Sequence, residues 1–179
     1  MYALASQLIG LPILSLQNAE TITRVTGLIM EIKSLEIVAF SCEPVRDIGK
    51  HPVLLLRDIR QVAIDCLLVN TAEDLVEADD IVRLAPLLKR GFNPKGLKVV
   101  TDHKRKVGTV EDFTVNLQTF HLQKIYVRQS MVRSWVGASL IIDRSQILEV
   151  SEREFTVRDV TIKVRDRASV LAPKPVPKR

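Results

Sequence analysis

The chain has 179 residues and a formal net charge of +5; 46% of it is apolar but only 4% aromatic, enough for one or two domains with cores of Val, Ile and Leu. No run of about 18 apolar residues offers a membrane span, and Met1-Tyr2-Ala3-Leu4-Ala5-Ser6 lacks the basic region of a secretory signal, so the expected location is the cytoplasm. Cys42 and Cys66 are few enough to read as reduced core thiols rather than a disulfide framework.

In chain order, Pro12 to Leu16 reads as a strand with proline at its start, where the missing donor costs least. Gln17 to Thr21 is a turn. Gly27 to Lys33 and Glu36 to Glu43 follow as strands joined at Ser34-Leu35, and their mixed alternation suits a small barrel whose outer face is partly covered. After a loop holding Asp47, Gly49, Lys50, His51 and Pro52, Val53 to Leu56 and Cys66 to Val69 complete five strands. Thr71 with Glu73 and Asp74 then signals a helix start. Pro86 marks its stop near Leu84 to Ala85, and Gly91 closes a possible last turn. Five further strands are expected at Leu97 to Thr101, Gly108 to Asn116, Thr119 to Arg128, Gly137 to Ile142 and Phe155 to Val157. Val160 to Val164 is a candidate edge strand, and Ala172 to Arg179, with alternate prolines, reads as an extended solvated tail.

The second set of strands echoes the first. Gly10 matches Gly96, Gly27 matches Gly108, and Leu56-Arg57-Asp58-Ile59-Arg60-Gln61-Val62 matches Ile141-Ile142-Asp143-Arg144-Ser145-Gln146-Ile147, all at a spacing of about 85 residues. The two-residue period slips between Val110 and Phe113 and between Ile29 and Ile32, which predicts a bulge near Glu111-Asp112 and an equivalent in the first copy. The expected organisation is mainly β: a first barrel over 1–70, a helical linker over 71–91, a second barrel over 92–164 and a basic Pro-rich tail over 165–179.

The phrase formed by Ile9-Gly10, Val25, Gly27, Glu31, Asp58 and Val62, repeated as Gly96, Val107, Gly108, Asp112, Asp143 and Ile147, resembles the PRC-barrel family over about residues 6–70 and 92–157. The turn from Gln17 to Arg24 departs from the Asp-Gly-rich connection usual there. The resemblance implies two small β-barrels in tandem that act as docking surfaces rather than enzymes. Its bacterial members include the cytoplasmic part of a photosynthetic reaction-centre subunit and ribosome-maturation factors.

No catalytic, cofactor or metal residues are assigned. His51, His103 and His121 are scattered, no Cys-x-x-Cys or Gly-rich phosphate loop occurs, and Glu111-Asp112 reads as a solvated pair because adjacent strand residues point to opposite faces. Asp58 and Asp143 read as turn caps. The candidate interaction residues are Lys104, Arg105 and Lys106 at a basic hairpin tip, Trp135 beside Arg133, and Lys174, Lys178 and Arg179 in the tail. Lys163, Arg165, Arg167, Lys174, Lys178 and Arg179 outnumber Asp166 by as much as the whole chain's excess, so the remainder is neutral overall. The leading expectation is a protein-interaction adaptor with an unidentified protein partner. The alternative is an RNA- or ribosome-associated assembly factor working through the basic tip and tail. Attachment of the tail to anionic lipid is a third, weaker reading.

Overall fold

The computed structural model describes residues 1–129 and 139–159. Its elements are Tyr2–Leu4 (β1), a single helical turn Ala5–Leu8 (α1), Pro12–Ser15 (β2), Thr21–Glu31 (β3), Glu36–Cys42 (β4), Pro52–Leu55 (β5), Gln61–Val62 (β6), Leu67–Val69 (β7) and Leu75–Glu77 (β8). A short helix Ala85–Arg90 (α2) leads to Lys98–Thr101 (β9), Lys106–Asn116 (β10), Leu122–Gln129 (β11), Ser139–Asp143 (β12), Ile147–Val150 (β13) and Glu154–Val157 (β14). They form two sheets. The first has the order β6-β7-β2-β3-β4-β5-β8, and the second reads β13-β14-β9-β10-β11-β12 with β1 added to β10.

Apart from β8 and β1, the two orders are the same, including a parallel pair in each, β2 with β7 and β9 with β14. Local geometry repeats too. Gly10 and Gly96 sit at φ +86° and +87°, a region that glycine alone enters readily. From there the Gly10 N–H donates to the Val25 carbonyl (2.8 Å) and the Gly96 N–H to that of Val110 (2.9 Å). Ala19 and Lys104 occupy equivalent left-handed turn positions, as do Leu35 and Phe120. Against the strand that follows it, each long strand breaks register twice, at Val25/Gly27 and Ile29/Met30 in β3 and at Val110/Asp112 and Thr114/Val115 in β10. The bulge expected at Glu111-Asp112 is therefore present, but its counterpart falls at Val25/Gly27 rather than between Ile29 and Ile32, where the break at Ile29/Met30 matches Thr114/Val115 instead.

Two of the sequence anchors need correction. The bulges make Val25 equivalent to Val110, which places Gly27 at the position of Asp112 and leaves Gly108 four residues out of step on the matching strand. Asp143 precedes the short turn Arg144–Gln146 and caps it, its Oδ1 accepting from the Ser145 N–H at 3.1 Å and the Ser145 hydroxyl at 2.9 Å. Asp58 instead ends the corresponding turn Leu56–Asp58 and lies 3.6 Å from Arg57, so it caps nothing. Among the described strands no pairing joins the two ends of either sheet, so neither closes into a ring of hydrogen bonds.

The halves meet around a pseudo-two-fold axis. The Ile37 N–H donates to the Phe120 carbonyl and the Leu122 N–H to that of Leu35, both at 2.9 Å, on either side of a bridge between Glu36 and His121. The bridge joins residues that are equivalent in the repeat, and the two hydrogen bonds are images of each other, Ile37 corresponding to Leu122 and Leu35 to Phe120, the relation expected of an isologous contact. The ring of Phe120 meets that of Phe40 edge-on, centroids 6.1 Å apart, and Arg144 reaches across to the Ser34 carbonyl at 2.7 Å. One apolar cluster, including Ile13, Phe40 and Leu67 with Val99, Phe113 and Phe155, runs through both halves. The segments leading into each half are exchanged: β1 pairs with β10 and α1 packs there, while α2 packs on β3. Residues 1–8 thus lie on the second sheet.

The stretch read as a linker helix is built differently. Thr71 does cap, its hydroxyl accepting from the Glu73 N–H at 3.2 Å, but the turn lasts only through Asp74. Leu75 and Val76 then pair with Leu54 and Val53 as β8. An open sheet edge satisfies their backbone and buries Leu75, which outweighs local helical preference. Pro86 falls in the first turn of α2, where its missing N–H costs little, and so begins that helix rather than stopping one. Gly91, at φ +57°, closes α2 with its N–H on the Leu87 carbonyl at 3.0 Å. Beneath this segment Ala78 and Leu84 cover Ile29, Ala39, Val53 and Leu55, a second apolar cluster on the outer face of the first sheet.

Candidate interaction surfaces

The basic hairpin tip lies between β9 and β10. The Lys104 N–H donates to the Thr101 carbonyl and the Thr101 N–H to that of Arg105, both at 2.9 Å, which tightens the turn over the buried Thr101. Acidic groups from distant sequence then gather round it. Lys104 Nζ is 3.8 Å from Glu154, Arg105 is paired with Asp159, and His103 Nε2 is 3.9 Å from Asp102. Asp102 Oδ1 also accepts the His103 and Asp159 N–H groups, each at 3.1 Å. The positive charges of Lys104 and Arg105 are thus met by Glu154 and Asp159. Exposed pairs of this kind contribute little stability, but they cancel the local field that would attract a polyanion. Asp102, His103 and Asp159 could bring three ligand atoms within 4.8 Å of one another. Asp102 Oδ1 already accepts two backbone N–H groups and Asp159 Oδ2 is paired with Arg105.

A cleft of about 340 Å³ opens on the first sheet where the 78–90 segment lies over it, and Ser41, Cys42, His51, Pro52, Asp79 and Leu88 are among its lining residues. Cysteine, histidine and aspartate in one cleft invite comparison with a nucleophilic site, but the thiol chemistry is opposed. Burial pushes the Cys42 thiol up to about 12, and its Sγ donates to the Phe40 carbonyl at 3.6 Å. A nucleophile requires the pKa shifted the other way. The backbone at His51 is held by Glu77 of β8, whose two carboxylate oxygens accept the His51 main-chain N–H at 3.0 and 3.2 Å. Gly49, at φ +143°, lies so close that a Cβ there would fall 1.8 Å from a Glu77 oxygen. Sequence reading saw residues 43–52 only as a loop; the glycine beside His51 is the mark that could have flagged the close approach.

Glu111 and Asp112 are divided by the bulge. Glu111 pairs with Arg128 at the surface, whereas Asp112 accepts from the Ser6 hydroxyl at 2.5 Å and the Phe113 N–H at 2.9 Å. They form no joint site. Both cysteines are free; Cys42 ends β4, but Cys66 lies in the turn before β7 rather than within a strand. Ile64, on that turn, and Val82 are 91% and 87% exposed.

A third surface is the outer edge of β12. Ile141 there is 54% exposed, although its counterpart Val53 is 2% exposed beneath β8. Trp135, Lys174, Lys178 and Arg179, together with the candidate strand at 160–164 and the tail, lie outside the described residues. Among the described residues no helix is long and apolar enough to cross a membrane. No protein-family model matches the chain, and no curated protein matches it significantly.

Proposed function

We propose that this chain is a non-enzymatic protein-interaction module, an adaptor made of two PRC-like barrel units fused about a pseudo-two-fold axis. The repeated strand order, with glycine in the same left-handed conformation at Gly10 and Gly96, supports the reading of two like units. The observation that carries the choice of partner is the balance of charge at the β9–β10 tip. Lys104 and Arg105 are engaged by Glu154 and Asp159, so two of the three cations that favoured RNA in the sequence are paired in the fold. The protonated Cys42 thiol argues in the same direction, away from covalent catalysis.

Sedimentation of host-cell lysate through a gradient tests this reading. The expected result is migration in a protein complex that survives ribonuclease and moderate salt. Co-migration with ribosomal subunits that is lost under either treatment would overturn it in favour of the assembly-factor reading.

A further inference from the structure

We propose that the cleft between the outer face of the first sheet and the 78–90 segment binds a primary ammonium group carried on an apolar body. The inference goes beyond the protein-interaction reading and does not depend on it.

The cleft lies where the first sheet carries small residues. Gly27 pairs with Ser41 as Asp112 pairs with Tyr126, so these are corresponding positions on the two sheets. The second half fills them with its own groups. Tyr126 is half-buried there, and Asp112 accepts the Ser6 hydroxyl at 2.5 Å and lies 4.0 Å from Lys95 Nζ. Lys95, one residue before Gly96, corresponds to Ile9 before Gly10. The first half thus has neither that carboxylate nor that ammonium, and beside Ser41 a space of about 340 Å³ is left. That volume stands at the small end of ligand pockets, which run from roughly 300 to 1,000 Å³.

Its rim is held by bonds that leave the lining side chains free. Glu77 accepts the His51 main-chain N–H, and the Ala78 N–H donates to the His51 carbonyl at 3.0 Å. Pro52, Val53 and Leu88 supply apolar lining, while Thr26, Ser41 and Asp79 offer oxygen acceptors that have no side-chain hydrogen bond or ion pair among the described residues. Asp79 is the one carboxylate of the lining and neither lysine nor arginine stands with it, so the cleft attracts a cation and disfavours an anion. The His51 ring adds a nitrogen acceptor when neutral. An ammonium brings three donors and no acceptor, which suits a carboxylate beside two hydroxyl oxygens, and its hydrocarbon can cover Leu88, itself 37% exposed.

The test titrates the full, isotope-labelled chain with phenethylamine, with N-acetyl-lysine methylamide, and with hydrocinnamate as an anion of like size, reading backbone amide shifts by NMR. Saturable shifts centred on Gly27, Ser41, Val53 and Asp79 are expected with an amine and not with hydrocinnamate. Tighter binding of phenethylamine marks a site for a free amine, and tighter binding of the lysine analogue marks a site for a partner's lysine side chain. Asp79→Asn should weaken binding about tenfold, and Ser41→Tyr, which installs the second half's residue, should abolish it, both variants keeping the wild-type circular dichroism. No shifts with either amine, equal shifts with hydrocinnamate, or affinity indifferent to Asp79→Asn would each overturn the proposal. So would nuclear Overhauser contacts, in the free protein, from the chain's own residues beyond 159 into the cleft, because it then has its occupant.

Discussion

Gly27 and Gly108 look equivalent in sequence, yet they stand in different surroundings, and alanine at each should have opposite consequences. A Cβ on Gly108 would lie 2.2 Å from the Arg128 carbonyl oxygen, 2.8 Å from Val127 Cγ1 and 2.9 Å from the Arg128 carbonyl carbon. Comfortable separations are about 3.5 Å, so β10 and β11 would have to part by roughly 1 Å where their backbones touch. Backbone cannot swing aside as a side-chain tip can, and overpacking of this kind costs about 3 kcal/mol. The same Cβ on Gly27 would meet Ser41 Cβ at 3.5 Å, an ordinary contact, and Gly27 is not among the positive-φ glycines. Gly27→Ala should be neutral or stabilising by about 0.5 kcal/mol through the reduced freedom of the unfolded chain. Urea unfolding of both variants, read at constant m-value, gives the comparison. Equal effects at the two positions would refute the register derived from the bulges and restore the alignment of the two glycines.

Gly10→Ala and Gly96→Ala should each destabilise by about 1–2 kcal/mol, because both impose a left-handed conformation on a residue with a Cβ; a loss confined to one of them in urea melts would show that the two lead-in turns are not equivalent. Burial raises the Cys42 thiol to about 12 from 9.0, so its contribution is complete below pH 9 and is lost as the pH rises towards 12, a difference of order 4 kcal/mol. Stability measured between pH 8 and 11 should therefore fall more steeply in wild type than in Cys42→Ala, and parallel curves would refute the burial argument. Asp143 has the opposite sign: bonds from Ser145 hold its carboxyl below its ordinary 3.8, so the stability it confers is present above that value and lost as the pH falls through the lowered one. Asp143→Ala should cost about 1 kcal/mol at neutral pH and less at strongly acid pH, with acid titration of the melting temperature as the check.

The parts of this fold that were legible in sequence are those that leave a chemical mark. Gly10 and Gly96 stand where only glycine is comfortable, and the slips of period in the long strands mark real bulges. Ala19, Leu35, Lys104 and Phe120 adopt left-handed turns without glycine, so the same repeat was silent there. The first six residues of β3 lie outside the strand read from sequence, which takes Thr21 as turn, and β1, β6 and β8, of two or three residues, are too short to show a period. The helix expected after Thr71 failed because an edge on β5, formed from residues about twenty positions earlier, decides what Leu75 and Val76 become. The candidate site was hidden for the same reason. Glu154 and Asp159 reach the basic tip from about fifty residues downstream, so a run of cations reads as a polyanion surface until the chain is folded.

The central proposal is that the chain recognises protein, the tip cations Lys104 and Arg105 being held by Glu154 and Asp159. Its most direct test is titration of a labelled single-stranded RNA with the full chain at several salt concentrations, comparing wild type with the triple variant Lys104→Ala, Arg105→Ala, Lys106→Ala. Whatever affinity the remaining cations provide, the account predicts the same affinity and the same salt dependence for both proteins. A decrease in the slope of log K against log salt by about 2 to 3 in the variant would show the three cations on phosphate and contradict the account.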